Sequence, residues 1–163
     1  MTWAEVIESP YLKDLPFKIE LNEWGQIVMS PAANNHGCFQ TSIVEILLKQ
    51  QTEGKPSVEC SVQTRKNVKV PDVVWMSDTF IRKHSAGLIL DTPLENAPEL
   101  CVEIVSPSNT RAELKEKRDL YFERGAREVW QCSEQGEIKF YGPKGELTRS
   151  APFPKFPKRV KAI

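Results

Sequence analysis

Hydrophobic and polar residues alternate over residues 17–21 and again over 26–30. The four residues 22–25 between these two segments include an asparagine and a glycine, which are typical of a turn. This pattern predicts a β-hairpin near the start of the chain. The preceding residues 1–16 contain two prolines, and we expect them to form a loosely packed arm with a single helical turn.

Residues 36–51 carry apolar side chains at the spacing of an amphipathic helix. Asn34 or Asn35 is suited to cap its start. His36 falls on the apolar stripe in the first turn. It either closes the helix end or places a polar group near a site at the edge of the sheet, and the sequence favours neither interpretation.

Two later segments, 70–76 and 100–105, are apolar with little alternation, which is typical of strands covered on both faces. Helices on both sides of one sheet would provide that cover. The remaining segments in this half predict a strand at 58–64, a short helix from Ser77 or Asp78 to about His84, and a long loop over 86–99 with an extended piece at 88–90.

A helix and then a second hairpin are predicted after residue 105. Thr110 and Glu113 have the spacing of a capping box, and Gly125 is suited to terminate the helix. Residues 128–132 and 137–141 predict two strands joined by a turn. The strand–helix–strand step should be a right-handed parallel crossover. The whole order predicts an α/β sandwich with a mixed β-sheet flanked by helices and an N-terminal β-hairpin.

The 163 residues suit one domain, 1–163, with a core at about 15–142 and an irregular, proline-rich C-terminal tail. The net charge is zero, so overall charge gives no support to nucleic-acid binding, and only a local basic patch could supply it. Four basic residues of the tail form the nearest approach to such a patch, and we interpret them as solvated: Lys155, Lys158, Arg159 and Lys161.

No apolar run approaches the ~20 residues of a membrane span, and the N-terminus lacks the layout of a signal peptide. We therefore expect a cytoplasmic protein that does not associate with a membrane. The four cysteines stand far apart without a CxxC motif, which argues against a zinc site. We expect free core thiols in a reducing compartment.

Glu103 lies inside the apolar run 100–105, where a lone carboxylate is costly to desolvate and needs a cation, a hydrogen-bond network or a proton. Asp72 lies in the other run. If the two strands are neighbours, the two carboxylates converge, and they repel each other unless a cation lies between them. Oxygen ligands with room for water suit Mg²⁺ or Mn²⁺. A metal-dependent phosphodiester site is therefore plausible.

The helix after the second run can supply an amine. Glu113, Lys117 and Tyr121 are four residues apart in turn and share one side, whereas Lys115 should face water. Lys117 beside the two carboxylates can orient a nucleophilic water and stabilise developing negative charge. The alternative is a buried ion pair between Glu103 and Lys117 with no catalysis, in which Asp72 only ends a turn.

The joint order and spacing of these residues resemble the Uma-type family of restriction-endonuclease-like proteins, within the PD-(D/E)XK nuclease superfamily. The resemblance covers about residues 15–142 and is carried by the segments 20–31, 70–74, 98–108 and 125–130 together with His36, Lys117 and Tyr121.

The resemblance implies that Asp72 and Glu103 bind the metal, with the backbone carbonyl of Ile104 as a further ligand. It also implies that Lys117 assists the attacking water. The superfamily pattern places a lysine two residues after the glutamate, where this chain has Val105, so the amine is expected from the following helix instead. Glu113 stands where the family often has an aspartate.

The resulting hypothesis is a Mg²⁺-dependent endonuclease acting on DNA, with Mn²⁺ as a substitute. Because duplex cleavage needs two active sites, we expect a homodimer. One alternative is a catalytically silent nucleic-acid-binding or interaction module of the same fold. A second alternative is an enzyme acting on RNA or another phosphodiester.

Overall fold

The structure is a computed structural model that describes residues 1–31, 33–50 and 53–163. In chain order its elements are α1 (Trp3–Glu8), β1 (Phe17–Leu21), β2 (Ile27–Pro31), α2 (Asn34–Lys49), β3 (Lys55–Val58), β4 (Val62–Thr64), β5 (Asn67–Lys69), β6 (Val73–Met76), α3 (Asp78–Ile89), β7 (Leu100–Ile104), α4 (Arg111–Glu123), β8 (Glu128–Cys132), β9 (Ile138–Gly142) and β10 (Gly145–Leu147).

Six strands form one mixed sheet in the order β10-β9-β8-β7-β6-β3. β7 and β8 are parallel and are joined through α4, as predicted, while the other neighbouring pairs are antiparallel. Every residue of β6, β7 and β8 is buried. One face packs against α2 and the C-terminal segment, and the other packs against α3 and α4. This double cover explains why these strands lack a hydrophobic–polar alternation.

The N-terminal hairpin is confirmed, with β1 and β2 antiparallel in a separate two-stranded sheet. The expected helical turn before it is α1, which begins with a capping box between Thr2 and Glu5. Val6 and Leu21 pack with Val68 and Val70 in a small third core. This packing fixes the hairpin beside the segment that leads into β6.

The predicted strand at 58–64 is wrong, because the chain forms two separate strands there. Glu59 adopts a left-handed conformation, with φ of 53°, and lies between the end of β3 and the start of β4. β3 continues the main sheet at its edge, where Pro56 is tolerated because an edge strand can lack an N–H donor. β4 instead pairs with β5, a strand that the sequence pattern did not predict.

Two helix boundaries also differ from the prediction. α3 extends to Ile89, so the extended piece at 88–90 is wrong. Leu88 is partly buried against the core between the sheet and helices α3 and α4, and this packing favours a helix in spite of Gly87. α2 begins at Asn34 with Ala33 at the N-cap, and no side chain caps it. Its predicted end at Gln51 lies outside the described residues.

The C-terminal tail is irregular, as predicted, but it is not loosely attached. Phe153, Phe156 and Val160 are buried in the core on the sheet face that packs against α2. Phe153 packs edge-to-face against Trp75 and Trp130, at ring-centroid distances of 5.3 and 5.9 Å. The four basic tail residues are exposed. The tail therefore completes the core through its aromatic residues while its charges stay in water.

The four cysteines are free, and Cys60, Cys101 and Cys132 are buried. Burial raises the pKa of the Cys60 thiol to about 11 and that of Cys132 to about 12, so both are protonated at neutral pH. None of the helices in the described ranges combines the length and the apolar character needed to cross a membrane.

Candidate active site

Asp72 and Glu103 face each other across neighbouring strands. β6 and β7 are antiparallel with Val73 opposite Val102, and the Asp72 N–H donates to the Val102 carbonyl at 3.0 Å. Asp72 directly precedes β6 at the end of this register, and its carboxylate converges with that of Glu103 on the Lys18 amine. Both are buried, with exposed fractions of 0% and 4%.

One oxygen of each carboxylate is held by a protein donor. The Ile104 N–H donates to Asp72 Oδ2 at 2.7 Å, and the Tyr121 hydroxyl donates to Glu103 Oε1 at 2.6 Å. The other two oxygens share one cation, the Lys18 amine, at 2.7 Å from Asp72 Oδ1 and 3.5 Å from Glu103 Oε2. The sum of these distances bounds the separation of the two oxygens at about 6 Å.

Lys117 reaches the same cluster from α4. Its amine lies 3.3 Å from Glu103 Oε2 and 2.9 Å from Glu20 Oε1. Lys115 instead pairs with Asp119 on the surface, with its side chain 66% exposed compared with 20% for Lys117. Because residues four apart share a helix face, Lys117 lies on the side of α4 that carries Tyr121.

His36 lies near the carboxylates, with Nε2 at 3.1 Å from Asp72 Oδ1. One turn later in α2, the Gln40 side chain donates to the Asp72 backbone carbonyl at 2.9 Å. Of the two interpretations of His36, the structure favours a polar group at the site. Glu113 has a different place, because it is exposed and its carboxylate accepts from the Thr110 N–H at 2.8 Å as part of the predicted capping box.

Sequence analysis did not assign Lys18 and Glu20 to the site. Both belong to β1, and Glu20 is buried and also accepts from the Val70 N–H at 2.9 Å. Two charged residues at alternate positions of a strand are typical of a solvent-facing surface, so the pattern alone does not distinguish them. The hairpin packs against β5 and the segment that leads into β6, and thereby brings this charged face onto Asp72 and Glu103.

The charges of the cluster shift the pKa values of its carboxyl groups in opposite directions. Burial raises the pKa of Glu103, in spite of Lys117 and Lys18. Burial also acts on Asp72, but there the Lys18 amine and His36 dominate and hold the pKa of the carboxyl well below its usual range. The pKa of Glu20 is likewise lowered, because Lys117 and Lys18 outweigh its burial.

The pKa values of the two lysine amines in the cluster are raised. Burial alone would lower the pKa of Lys18, but Glu103 and Asp72 raise it above its ordinary value. Glu103 and Glu20 do the same for the pKa of Lys117. When all groups are ionised, three carboxylates face two ammonium groups. With a neutral His36 the cluster then keeps one negative charge that a further cation can neutralise, whereas a protonated His36 would cancel that charge.

The donor set fits a small divalent cation. Asp72 Oδ1 and Glu103 Oε2 are the two oxygens that face a common cationic position. Within the described ranges, no three side chains of histidine, cysteine, aspartate or glutamate gather as a metal cage. A metal would therefore be held by two carboxylates with main-chain and water oxygens, the kind of ligation that Mg²⁺ favours.

The chain is similar to proteins that are described as putative nucleases. The crystal structure of a putative nuclease belonging to DUF820 from Anabaena variabilis ATCC 29413 has the same fold, with a TM-score of 0.66. The two chains are 20% identical over 90% of this chain and 82% of the other. No protein of curated function matches. The family model of Uma2, described as "Putative restriction endonuclease", matches residues 4–160, and the chain therefore belongs to the Uma2 family.

Proposed function

We propose that this protein is a Mg²⁺-dependent endonuclease that hydrolyses DNA phosphodiester bonds. One observation carries the proposal: Asp72 and Glu103 each present one oxygen to a shared cationic position, and Lys117 approaches from the following helix. Membership of the Uma2 family supports the reaction class. Two protein-held carboxylates beside a buried amine are the groups that metal-assisted phosphodiester hydrolysis needs.

Asp72 and Glu103 would hold the metal together with the Ile104 carbonyl. When bound, the metal supplies a polarised phosphate oxygen and a water of lowered pKa. The Ile104 N–H and the Tyr121 hydroxyl fix the two carboxylates in orientation, as outer partners of metal ligands do.

Lys117 would orient the attacking water and stabilise negative charge on the phosphate. Glu20 holds its amine at 2.9 Å and so keeps it directed into the site. His36 and Lys18 both contact Asp72 Oδ1. Since each active site cuts one strand, cleavage of a duplex requires a homodimer in this proposal.

The alternative is a catalytically silent nucleic-acid-binding module of the same fold. It is favoured by the two lysines, because Lys18 and Lys117 already neutralise most of the carboxylate charge without a metal. A network paired in this way can exist for structure alone.

Incubation of supercoiled plasmid with Mg²⁺ or Mn²⁺ tests the proposal, beside a Glu103→Gln control that keeps the side-chain size. Wild type should nick or linearise the plasmid and the control should not. Parallel assays on RNA and on a small phosphodiester identify the substrate class. Intact plasmid, together with no shift in melting temperature on adding either metal, would favour the silent module.

A further inference from the structure

A cationic pocket lies next to the acidic cluster on the same side of the sheet. Its volume is about 450 Å³, and it opens between α4 and the strands β8 and β9. The residues that line it include Arg111, Arg118, Gln131, Lys139 and Tyr141. Three of these five residues are basic, although the net charge of the chain is zero.

The strand register connects this pocket to the cluster. Glu103 of β7 is paired with Gln131 of β8, and Gln131 is paired with Lys139 of β9. Paired residues point to the same face, and neighbouring strands are about 4.8 Å apart, so Lys139 lies roughly 10 Å from Glu103 along the sheet. One strand of a duplex carries a phosphate about every 3.4 Å along its axis. The pocket therefore lies within a few nucleotides of a phosphate held at the cluster.

Two contacts fix the orientation of the Arg118 guanidinium. The guanidinium stacks over the Tyr141 ring at 4.0 Å from the centroid and donates to Gln131 Oε1 at 3.0 Å. The Gln131 amide in turn donates to the Leu114 carbonyl at 3.1 Å, which fixes the amide orientation. A guanidinium has five N–H donors, so most of its donors remain for phosphate oxygens.

The other charges around the pocket leave it cationic. Arg111 and Lys139 are exposed on opposite sides, one on α4 and one on β9. The acidic residue of the lining, Glu137, lies 3.5 Å from the guanidinium of Arg159, which offsets its charge. Arg111 and Lys139, together with Arg118, give the pocket three basic side chains.

We infer that this pocket binds backbone phosphates of a DNA substrate strand, within a few nucleotides of the scissile phosphate. The inference rests on the proposed function and specifies its substrate as a polymer. A small phosphodiester has no second phosphate that could reach the pocket. Binding there would release counterions from the DNA and would therefore weaken as salt rises.

Fluorescence anisotropy of a labelled DNA duplex of about 20 base pairs tests the inference. The experiment compares wild type, the double variant Arg111→Gln/Lys139→Gln and the control Lys83→Gln/Lys155→Gln, in EDTA. Both variants remove two exposed charges, so they have the same net charge. The pocket variant should bind about tenfold or more weakly at ~0.1 M salt, and its slope of log affinity against log salt should fall by about 2. The control should bind like wild type.

Equal affinities for the two variants, or a wild type that does not bind the duplex, would overturn the inference. The measurement does not depend on cleavage. A wild type that binds through the pocket yet leaves plasmid intact with Mg²⁺ would support the pocket and contradict the nuclease. A wild type that cuts plasmid while both variants bind equally would contradict the pocket alone.

Discussion

The Lys18 amine lies 2.7 Å from Asp72 Oδ1 and occupies the position that Asp72 and Glu103 both face. An ammonium group there provides the positive charge that two converging carboxylates require. It also stands where a bound metal would stand. In the proposed mechanism, Lys18 would thus be both a stabilising partner of the two carboxylates and a competitor of the metal.

Lys18→Met should separate these two roles. Without metal the variant should be less stable by ~3 kcal/mol, because a buried carboxylate loses its partner. Its affinity for Mg²⁺ should rise, because no amine competes for Asp72 Oδ1. Calorimetric titration with Mg²⁺ and thermal melts in EDTA measure both quantities. Lys115→Met, which alters only a surface pair, is the control, and weaker Mg²⁺ binding by Lys18→Met would show that Lys18 is not a competitor.

Asp72→Asn and Glu103→Gln should differ in stability at neutral pH. Asp72→Asn removes the carboxylate nearest to the Lys18 amine, and we expect a loss of ~3 kcal/mol. Glu103→Gln should change stability by less than ~1 kcal/mol, because Lys18 remains paired with Asp72 and Lys117 remains paired with Glu20. It also removes a carboxylate that burial disfavours. Urea unfolding in EDTA checks the order, and a loss above ~3 kcal/mol for Glu103→Gln would mark Glu103 as a structural ion-pair partner.

Acid should destabilise the protein mainly through Asp72 and Glu20. Their pKa values are lowered in the folded state, so their contributions are present above the ordinary carboxyl pKa of about 4 and are lost as pH falls below it. The pKa of Glu103 is raised, so its contribution has the opposite sign and is lost as pH rises through its folded value. Unfolding free energies measured from about pH 6 to 2 should fall for wild type, more steeply for Glu103→Gln and less for Asp72→Asn. Parallel curves for all three would contradict this assignment.

Lys117→Met should reduce plasmid cleavage by about 10²–10³-fold, because the site loses the amine that stabilises charge near the phosphate. Lys115→Met should cut at the wild-type rate, since its amine reaches only Asp119. Initial rates at saturating Mg²⁺ give the comparison. Similar losses of cleavage rate for both variants would show that the rate does not depend on which position of α4 carries the amine.

Phe153→Ala should lower the free energy of unfolding by ~3–5 kcal/mol, because the ring fills space between Trp75 and Trp130. Lys155→Gln, two residues further along the exposed side of the tail, should change it by less than ~0.5 kcal/mol. Urea melts of both variants test whether the tail is part of the core. If the tail only covers the surface, both substitutions should change the free energy of unfolding by a small amount.

The sequence by itself determined the elements whose pattern is local. The alternation in β1 and β2, the capping box of Thr110 and Glu113, and the continuous apolar run of β7 each reflect the immediate backbone environment of those residues. The helical spacing of α4 likewise fixes which of its lysines shares a face with Tyr121. From these patterns, the mixed sheet and the cluster of Asp72, Glu103 and Lys117 could be expected before any coordinates.

Only the tertiary structure decided which charged residues were taken out of water. A lysine and a glutamate in β1 cost nothing on an exposed strand, and they become site residues only because the hairpin packs against β5 and the segment that leads into β6. The burial of Phe153 and the left-handed break at Glu59 are also absent from local periodicity. Local pattern encodes the side of an element that is buried. The partner that buries it, and therefore the charge that must be paired there, is set by contacts between residues far apart in sequence.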